Sequence, residues 1–426
     1  MQSGTLRGRQ FQRAGGTEDW RVLASQGVAA WFAAPATPAH GAGAALVRRI
    51  VELAAGRRRP DIDLRGSGVQ VWIPDEPALT AADVELARGI SAAARELGLV
   101  ADPTVPQSVE LGFDTVDRSA VAPFWQTLLG YCDDDDLLDP MRRDPRFWFQ
   151  TVPQHRPLRN RIHVDVAVPS RLAIERYDLL RPGPAASSPG GAAHGLVVDV
   201  DGNEADLLTL TADGDRLDGT HVDDWRVLFE AAVFYPTAGL VEAADLTADA
   251  AASADDAHVP LLIDVRSAGV RIGSGKDLWE EDGFAATARR VQAAARASGL
   301  TPDAEPLRFV QIGIDAVDIP AVRAFWRAVL QYEEDPRPFV TDLIDPRRLG
   351  PTLFFQPMDA ADGARRAQRN RIHVDLFLPA DQVRSRLDSA LAAGGRIAYD
   401  GNAPQCWTVA DPEGNEVDIA AAISLD

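Results

Sequence analysis

The chain has few of the features that mark secreted or membrane proteins. Two cysteines, Cys132 and Cys406, occur in 426 residues, which is too few for a disulfide framework. The N-terminal segment, residues 1–16, has no apolar core, so we expect no secretory signal. No stretch of the sequence approaches the ~20 consecutive apolar residues that a membrane-spanning helix needs. We therefore expect a cytoplasmic protein with free thiols.

Positive charge is also in short supply. The chain has 43 lysines and arginines against 63 acidic residues, which gives a formal net charge of −20. This balance argues against nucleic acid or an anionic membrane surface as a partner. The hydrophobic fraction of 46% with 25% charged residues is that of an ordinary globular protein. A small-molecule ligand is the expected partner, and homo-oligomer formation is left open.

The sequence repeats itself. RNRIHVD occurs at residues 159–165 and again at 369–375. The segment VELGFDTVD, beginning at Val109, has a counterpart in VQIGIDAVD, which begins at Val310. A recurrence at a constant offset indicates a tandem duplication, here roughly residues 1–212 and 213–426.

The later part of each copy carries clear strand and helix patterns. Val109, Leu111 and Phe113 alternate with other residues, which is the period of a half-buried strand. Asp117 then stands where a helix N-cap belongs, as Asp318 does in the second copy. Further strands are predicted at 147–152, 161–168, 353–358 and 371–378. The order of these elements predicts a pair of βαβββ modules in each copy.

These patterns resemble the vicinal-oxygen-chelate, or glyoxalase/bleomycin-resistance, superfamily, and its glyoxalase-like subfamily in particular. The resemblance rests on FWQTLLGY in copy one and FWRAVLQY in copy two, then on NR.H.D, then on GNE. These motifs occur in the same order twice, over about 108–211 and 309–421. The resemblance implies a ligand cavity on the concave side of a curved sheet, but one fold hosts many chemistries.

Strand alternation selects the side chains that would face this cavity. In RIHVDVAV, Ile162 and Val164 point to one side of the strand, and His163 and Asp165 point to the other. His163 and His373 are the candidate catalytic residues, because imidazole exchanges protons near neutral pH. The candidate ligand-binding residues on the same side are Glu110, Trp148, Gln150, Asp165, Asp206, Gln311, Phe354, Gln356, Asp375 and Asp418.

The resemblance also bears on metal binding. Metal-dependent members use four positions, which fall on Glu110, Gln150, His163 and Asp206 in copy one, and on Gln311, Gln356, His373 and Asp418 in copy two. Glutamine is a weak neutral ligand, so this grouping predicts no resident metal or other cofactor. A divalent metal is left open in the first glyoxalase-like domain, where Glu110, His163 and Asp206 would form a facial triad. The alternative for RNRIHVD is structural, with its polar side chains tying strand to loop.

Residues 27–100 have the order strand, helix, strands and helix, with the phrase RRP…V.V.I…LT..D..LA, and residues 222–300 have the same frame. This order and phrase resemble pterin-4a-carbinolamine dehydratase. The resemblance fails at the histidines that this enzyme uses. Arg58 and Arg59 replace the histidine pair in copy one, and only His258 remains in copy two. Arginine cannot exchange protons at neutral pH. We expect degenerate units that serve as scaffold, ligand sensor or dimerisation surface.

The sequence thus predicts an α+β protein of four units. Residues 1–105 and 213–305 would be dehydratase-like, and residues 106–212 and 306–426 would be glyoxalase-like domains of paired βαβββ modules. The expected function is binding of a small organic molecule in the sheet cavity, with lyase- or isomerase-type chemistry if it is an enzyme. The alternatives are a non-catalytic binding or resistance protein and 4a-hydroxytetrahydrobiopterin dehydratase activity.

Overall fold

The computed structural model describes residues 5–23, 27–35, 39–75, 78–181, 194–208 and 213–422. The chain forms two compact units, Met1–Gln107 with Arg216–Leu307, and Ser108–Asp215 with Arg308–Asp426. Each unit is therefore built from both copies of the repeat. The division into four domains stays a prediction, and its boundary at residue 212 lies outside the described residues. None of the helices in these ranges has the length and apolar character needed to cross a bilayer.

The first unit contains short and long strands from both copies. Its helices are α1 (Gly8–Gln12), α2 (His40–Leu53), α3 (Ala81–Glu96), α6 (Leu240–Ala257) and α7 (Phe284–Ala297). Its strands are β1 (Thr5–Leu6), β2 (Arg21–Leu23), β3 (Gly27–Ala33), β4 (Asp61–Arg65), β5 (Gly68–Ile73), β6 (Leu79–Thr80), β7 (Val100–Ala101), β15 (Arg226–Val227), β16 (Ala231–Pro236), β17 (Leu262–Arg266) and β18 (Gly269–Gly273).

One nine-stranded sheet forms the centre of this unit, in the order β15-β16-β18-β17-β4-β5-β3-β2, with β7 paired to β3. The two copies meet where β17 runs antiparallel to β4, with Asp264 opposite Asp63. Each of these aspartates pairs with an arginine of the other copy. Arg65 lies 2.7 Å from Asp264, and Arg266 lies 2.6 Å from Asp63, all four side chains being buried.

The second unit contains the RNRIHVD motifs. Its helices are α4 (Arg118–Leu129), α5 (Ser170–Leu180), α8 (Ile319–Leu330), α9 (Gly363–Ala367) and α10 (Val383–Ala392). Its strands are β8 (Ser108–Thr115), β9 (Cys132–Asp134), β10 (Asp136–Leu138), β11 (Phe147–Thr151), β12 (Ile162–Ala167), β13 (His194–Val198), β14 (Glu204–Leu208), β19 (Phe309–Ala316), β20 (Glu333–Glu334), β21 (Leu343–Ile344), β22 (Thr352–Pro357), β23 (Ile372–Leu378), β24 (Arg396–Tyr399), β25 (Cys406–Ala410) and β26 (Glu416–Ala421).

These strands form two sheets, and each sheet combines the two copies. The first sheet has the order β24-β25-β26-β23-β8-β11-β10-β9, and the second has the order β13-β14-β12-β19-β22-β21-β20. Strand β8 of copy one runs antiparallel to β23 of copy two, and β12 of copy one runs antiparallel to β19 of copy two. Each sheet therefore joins the first module of one copy to the second module of the other.

Local signals in the sequence explain the helices of this unit. The Asp117 carboxylate accepts a hydrogen bond from the Ser119 N–H at 2.9 Å, and Asp318 accepts one from Ala321 at 3.1 Å, as predicted for N-caps. Helix α4 ends at Gly130, whose φ of 67° is the left-handed conformation that favours glycine. The indole rings of Trp125 in α4 and Trp326 in α8 are fully buried in a core that both sheets line. The mixed α+β architecture and the predicted local elements are therefore confirmed.

Candidate functional site

The asparagine of RNRIHVD joins the two copies. The Asn160 side-chain oxygen accepts a hydrogen bond from the Arg371 N–H at 2.9 Å, and Asn370 accepts one from the Arg161 N–H at 3.0 Å. The amide nitrogens of the same side chains donate to Asn203 and Asn415, the asparagines of the two GNE turns. The two motifs thus hold each other in place reciprocally.

The second arginine of each motif completes this arrangement. Arg371 is buried and donates to the Asn203 side chain at 2.9 Å, to the Leu158 carbonyl at 2.9 Å and to the Gly202 carbonyl at 2.8 Å. Arg161 makes the equivalent contacts, with Asn415 at 3.0 Å. Burial lowers the pKa of both guanidinium groups, as expected for cations bound mainly by neutral oxygens. The asparagine and the second arginine of the motif therefore have structural roles.

The histidine and aspartate of the second motif lie on the polar face of the first sheet. We call His373, Asp375 and Asp418, with Glu110 and Trp148, the His373 cluster. Ligand atoms of His373, Asp375 and Asp418 all lie within 4.8 Å of one another. Asp375 stands directly opposite Glu110 on one neighbouring strand and Asp418 on the other. The Trp148 indole N–H donates to Asp375 at 2.5 Å.

This cluster concentrates negative charge in a buried place. Burial raises the pKa of Asp375 well above its usual range, and the carboxylates of Asp418 and Glu110 raise it further. Burial also lowers the pKa of His373. Three of its buried atoms, His373 Nδ1, Asp375 Oδ1 and Asp418 Oδ1, have no hydrogen-bond partner within the described part of the chain. Buried polar atoms normally have partners, so this donor set fits a divalent cation.

These pKa shifts predict how stability depends on pH in metal-free protein. The raised pKa of Asp375 means that the folded state keeps a proton that the unfolded chain loses above about pH 4. Stability should therefore fall as pH rises from that value toward the folded pKa. Replacing Asp375 by asparagine should stabilise the chelator-treated protein at pH 7, because asparagine has no carboxyl group whose ionisation the folded state must disfavour.

Urea titrations of both proteins at pH 4 and pH 7 would measure this effect. The two proteins should be nearly equal in stability at pH 4, and the variant should be the more stable at pH 7. If the variant is less stable than the unmodified protein at both pH values, the surroundings of Asp375 do not disfavour its ionised form. The lowered pKa of His373 acts in the opposite sense, since it removes stability below about pH 6.5, and it is common to both proteins.

The first motif provides an equivalent group on the second sheet. We call His163, Asp165 and Asp206, with Gln311, Phe354 and Gln356, the His163 cluster, in which ligand atoms of the first three lie within 4.8 Å of one another. Gln311 donates to Asp165 at 2.9 Å, and Gln356 donates to Asp315 at 2.7 Å. The Phe354 ring packs edge-on against His163, 5.5 Å between centroids. An amide donor therefore binds one carboxylate of this cluster, whereas His163 Nδ1 has no hydrogen-bond partner among the described residues.

The structure corrects the grouping of the predicted site residues. Glu110 and Gln150 lie on the first sheet with His373 and Asp418, whereas Gln311 and Gln356 lie on the second sheet with the first motif. The facial triad of Glu110, His163 and Asp206 is wrong, because Glu110 belongs to a different sheet from the other two. Gln150 is exposed. All the other candidate residues fall in one of the two clusters.

Sequence reasoning does not single out Gly112 and Gly313, yet both glycines make room for an imidazole. Gly112 pairs with His373 across the first sheet, and Gly313 pairs with His163 across the second. A Cβ at either position would lie 2.3 Å from the Nε2 atom of the facing histidine. The sequence does carry a signal for both positions, because an isolated glycine in the middle of a predicted strand often marks the close approach of another group.

The dehydratase-like positions show no comparable group. The Arg58 side chain lies 3.2 Å from Asp83 and donates to the Pro74 carbonyl at 2.6 Å, so it is a structural contact. His258 is exposed and ends α6 in a left-handed conformation, with φ of 54°. The resemblance of this unit to the dehydratase stays a prediction.

Comparisons with known proteins bear on the second unit. A family model described as glyoxalase-like domain matches residues 110–208 and 311–420. A mutant of glyoxalase I from Zea mays is similar in structure, with 11% identity over 75% of this chain and 95% of that chain and a TM-score of 0.38. The cppA protein from Streptococcus pneumoniae aligns with 8% identity over 74% of this chain and 97% of that chain, with a TM-score of 0.32. No curated protein sequence matches.

The family match coincides with the strands that carry both clusters. It begins at Glu110 and Gln311 and ends just beyond Asp206 and Asp418, the last strand positions of the two clusters. These two segments are therefore glyoxalase-like, and the match supports placing the protein in the vicinal-oxygen-chelate superfamily that its motifs predict.

Proposed function

We propose that the protein binds a small organic molecule on the polar face of the first sheet, next to a divalent metal ion held by the His373 cluster. The observation that carries the proposal is a set of three buried ligand atoms, on His373, Asp375 and Asp418, that have no hydrogen-bond partner among the residues the structure describes. One imidazole and two or three carboxylates suit Mn²⁺, Fe²⁺, Co²⁺ or Zn²⁺. The charge of the ion would offset the mutual repulsion of Asp375, Asp418 and Glu110.

The residues of the chain have distinct tasks in this proposal. Trp148 holds Asp375 through its indole N–H, and Gly112 leaves space for the His373 ring. Asp418 is half-buried, so the cluster borders solvent on that side. A bound divalent ion acts as a Lewis acid that polarises an oxygen of the ligand. The reaction type we propose is that of a lyase or isomerase, in which the ion would stabilise negative charge on that oxygen.

The second candidate function is binding without chemistry, and the His163 cluster favours it. Its Asp165 carboxylate receives a hydrogen bond from the Gln311 amide, and Phe354 adds an aromatic ring. A pocket with a few polar groups and an aromatic side chain can hold an organic ligand without a metal. We do not extend the proposal to dehydratase activity, because the Arg58 guanidinium is bound to Asp83 and to backbone carbonyls.

Metal content separates these possibilities. After incubation with Mn²⁺, Co²⁺ or Zn²⁺ and gel filtration, the protein should retain about one ion per chain by elemental analysis. His373→Gln should lose that ion, because it removes an imidazole ligand, and the matched variant His163→Gln should keep it. Retention of less than a tenth of an ion, or an equal loss in both variants, would contradict the assignment to the His373 cluster.

A further inference from the structure

We propose that Glu110 and Trp148 determine which of the two clusters holds the metal ion, with Trp148 acting as a positioning residue for Asp375. This inference rests on the proposed function. The two clusters share the histidine, the aspartate two residues later and the aspartate on the last strand. They occupy equivalent places in two sheets of the same unit, so the residues in which they differ are the ones that can separate their behaviour.

Strand register identifies two of these differences. Glu110 stands opposite Asp375 in the first sheet, and Gln311 stands opposite Asp165 in the second. Trp148 lies beside Gly112, and Phe354 lies beside Gly313. The position of Gln150 differs less, since its equivalent in the second sheet, Gln356, is also a glutamine.

The first difference, Glu110 against Gln311, changes both the charge and the hydrogen-bonding group opposite the aspartate. Glu110 is buried directly opposite Asp375, so it adds a carboxylate to the cluster. Gln311 adds no charge, and its amide donates to Asp165 at 2.9 Å. A metal ion at the His163 cluster would therefore have one carboxylate fewer within reach.

The second difference changes how the aspartate is held. Trp148 donates its indole N–H to Asp375 Oδ2, which leaves Oδ1 facing the other ligands. The rings of Trp148 and Phe354 pack edge-on against the facing histidine at nearly the same distance, 5.6 and 5.5 Å between centroids. Phe354 has no donor, so the aromatic packing is similar, and in the second sheet the Gln311 amide replaces the indole as the donor to the aspartate. Outer contacts of this kind orient metal ligands and are worth 10–100-fold in affinity.

Exchanging the two residues between the clusters tests the inference. Glu110→Gln with Trp148→Phe should reduce the bound ion from about one per chain to near zero, and Gln311→Glu with Phe354→Trp should raise it to about two. Trp148→Phe alone keeps the ring and should weaken Co²⁺ binding by roughly 10–100-fold in a titration. The matched variant Phe354→Trp alone should leave the first ion's affinity unchanged.

The outcomes separate this inference from the proposed function. If the unmodified chain retains no ion, the proposed function fails. Suppose instead that the unmodified chain retains one ion, and that Trp148→Phe and the Glu110/Trp148 double variant both bind it with the affinity of the unmodified chain. The metal is then present and this inference is overturned. Circular dichroism of each variant shows whether a lost ion reflects a lost fold, and the Trp148→Phe titration, which deletes only an N–H, decides the question in that case.

Discussion

Replacing Arg371 by alanine should lower the free energy of unfolding of the protein by ~3–5 kcal/mol, measured by urea denaturation. The Arg371 guanidinium is buried and donates to the Asn203 side chain and to the carbonyls of Leu158 and Gly202. Alanine removes these three charge-assisted hydrogen bonds, each worth ~1.5–3 kcal/mol. The Asn203 oxygen keeps its bond from Asn160, and the Leu158 carbonyl keeps its bond from Gln368, which reduces the loss at those two acceptors. Partial entry of water should keep the sum below the simple total.

The same motif supplies a matched control. Arg369 is two residues earlier, its side chain is 48% exposed, and it pairs with Glu416 at 2.7 Å and with the buried Asp114 at 3.3 Å. Asp114 keeps a shorter pair with Arg156 at 2.6 Å, so Arg369→Ala should cost only the ~0–1 kcal/mol of a partly exposed ion pair. Equal effects of the two variants would show that Arg371 does not hold the two copies together through its buried contacts.

Replacing Ile372 by alanine should also be costly, while replacing its neighbour His373 by glutamine should not. The Ile372 side chain is fully buried in the core beneath the sheets, and truncating such a residue costs ~2–5 kcal/mol. His373 points to the opposite face and has an unpartnered Nδ1 atom. His373→Gln should therefore cost about 1 kcal/mol or less in chelator-treated protein, by thermal or urea unfolding.

Metal binding should respond in the reverse order. Ile372→Ala should retain about one ion per folded chain, and His373→Gln should retain almost none. The pair Ile162→Ala and His163→Gln provides the control on the second sheet, where the isoleucine should again be costly and neither change should affect the ion. If His373→Gln unfolds early and binds metal normally, the histidine is a structural residue and the candidate site is wrong.

Much of the second unit follows from local sequence. The alternation of Val109, Leu111 and Phe113 predicts β8, and Asp117 predicts the start of α4, because these signals depend on near neighbours alone. The same alternation places His163 and His373 on the polar side of their strands. Each candidate residue is thus found from its own strand.

The partner strand could not be predicted in this way. The strands β12 and β23 begin with the same residues, IHVD, and both β8 and β19 present aliphatic side chains at alternate positions. Pairing within one copy and pairing between copies therefore bury similar side chains. The choice depends on the GNE turns and on loops far apart in sequence, where Asn203 and Asn415 bind the arginine of the opposite motif. For this reason the sequence alone groups the candidate metal ligands within one copy, whereas the structure groups them across the two copies.

The pairing of β8 with β23 also has a consequence for synthesis of the chain. Strand β8 ends at Thr115, and its antiparallel partner begins at Ile372. At ~5–20 residues per second, a ribosome needs on the order of tens of seconds to make the intervening segment. During that time the edge of β8 has no β23 to pair with, and the side chains of Leu111 and Phe113, which are buried in the folded protein, lack part of their core. We therefore expect nascent chains to depend on chaperones more than a chain of two self-contained copies would.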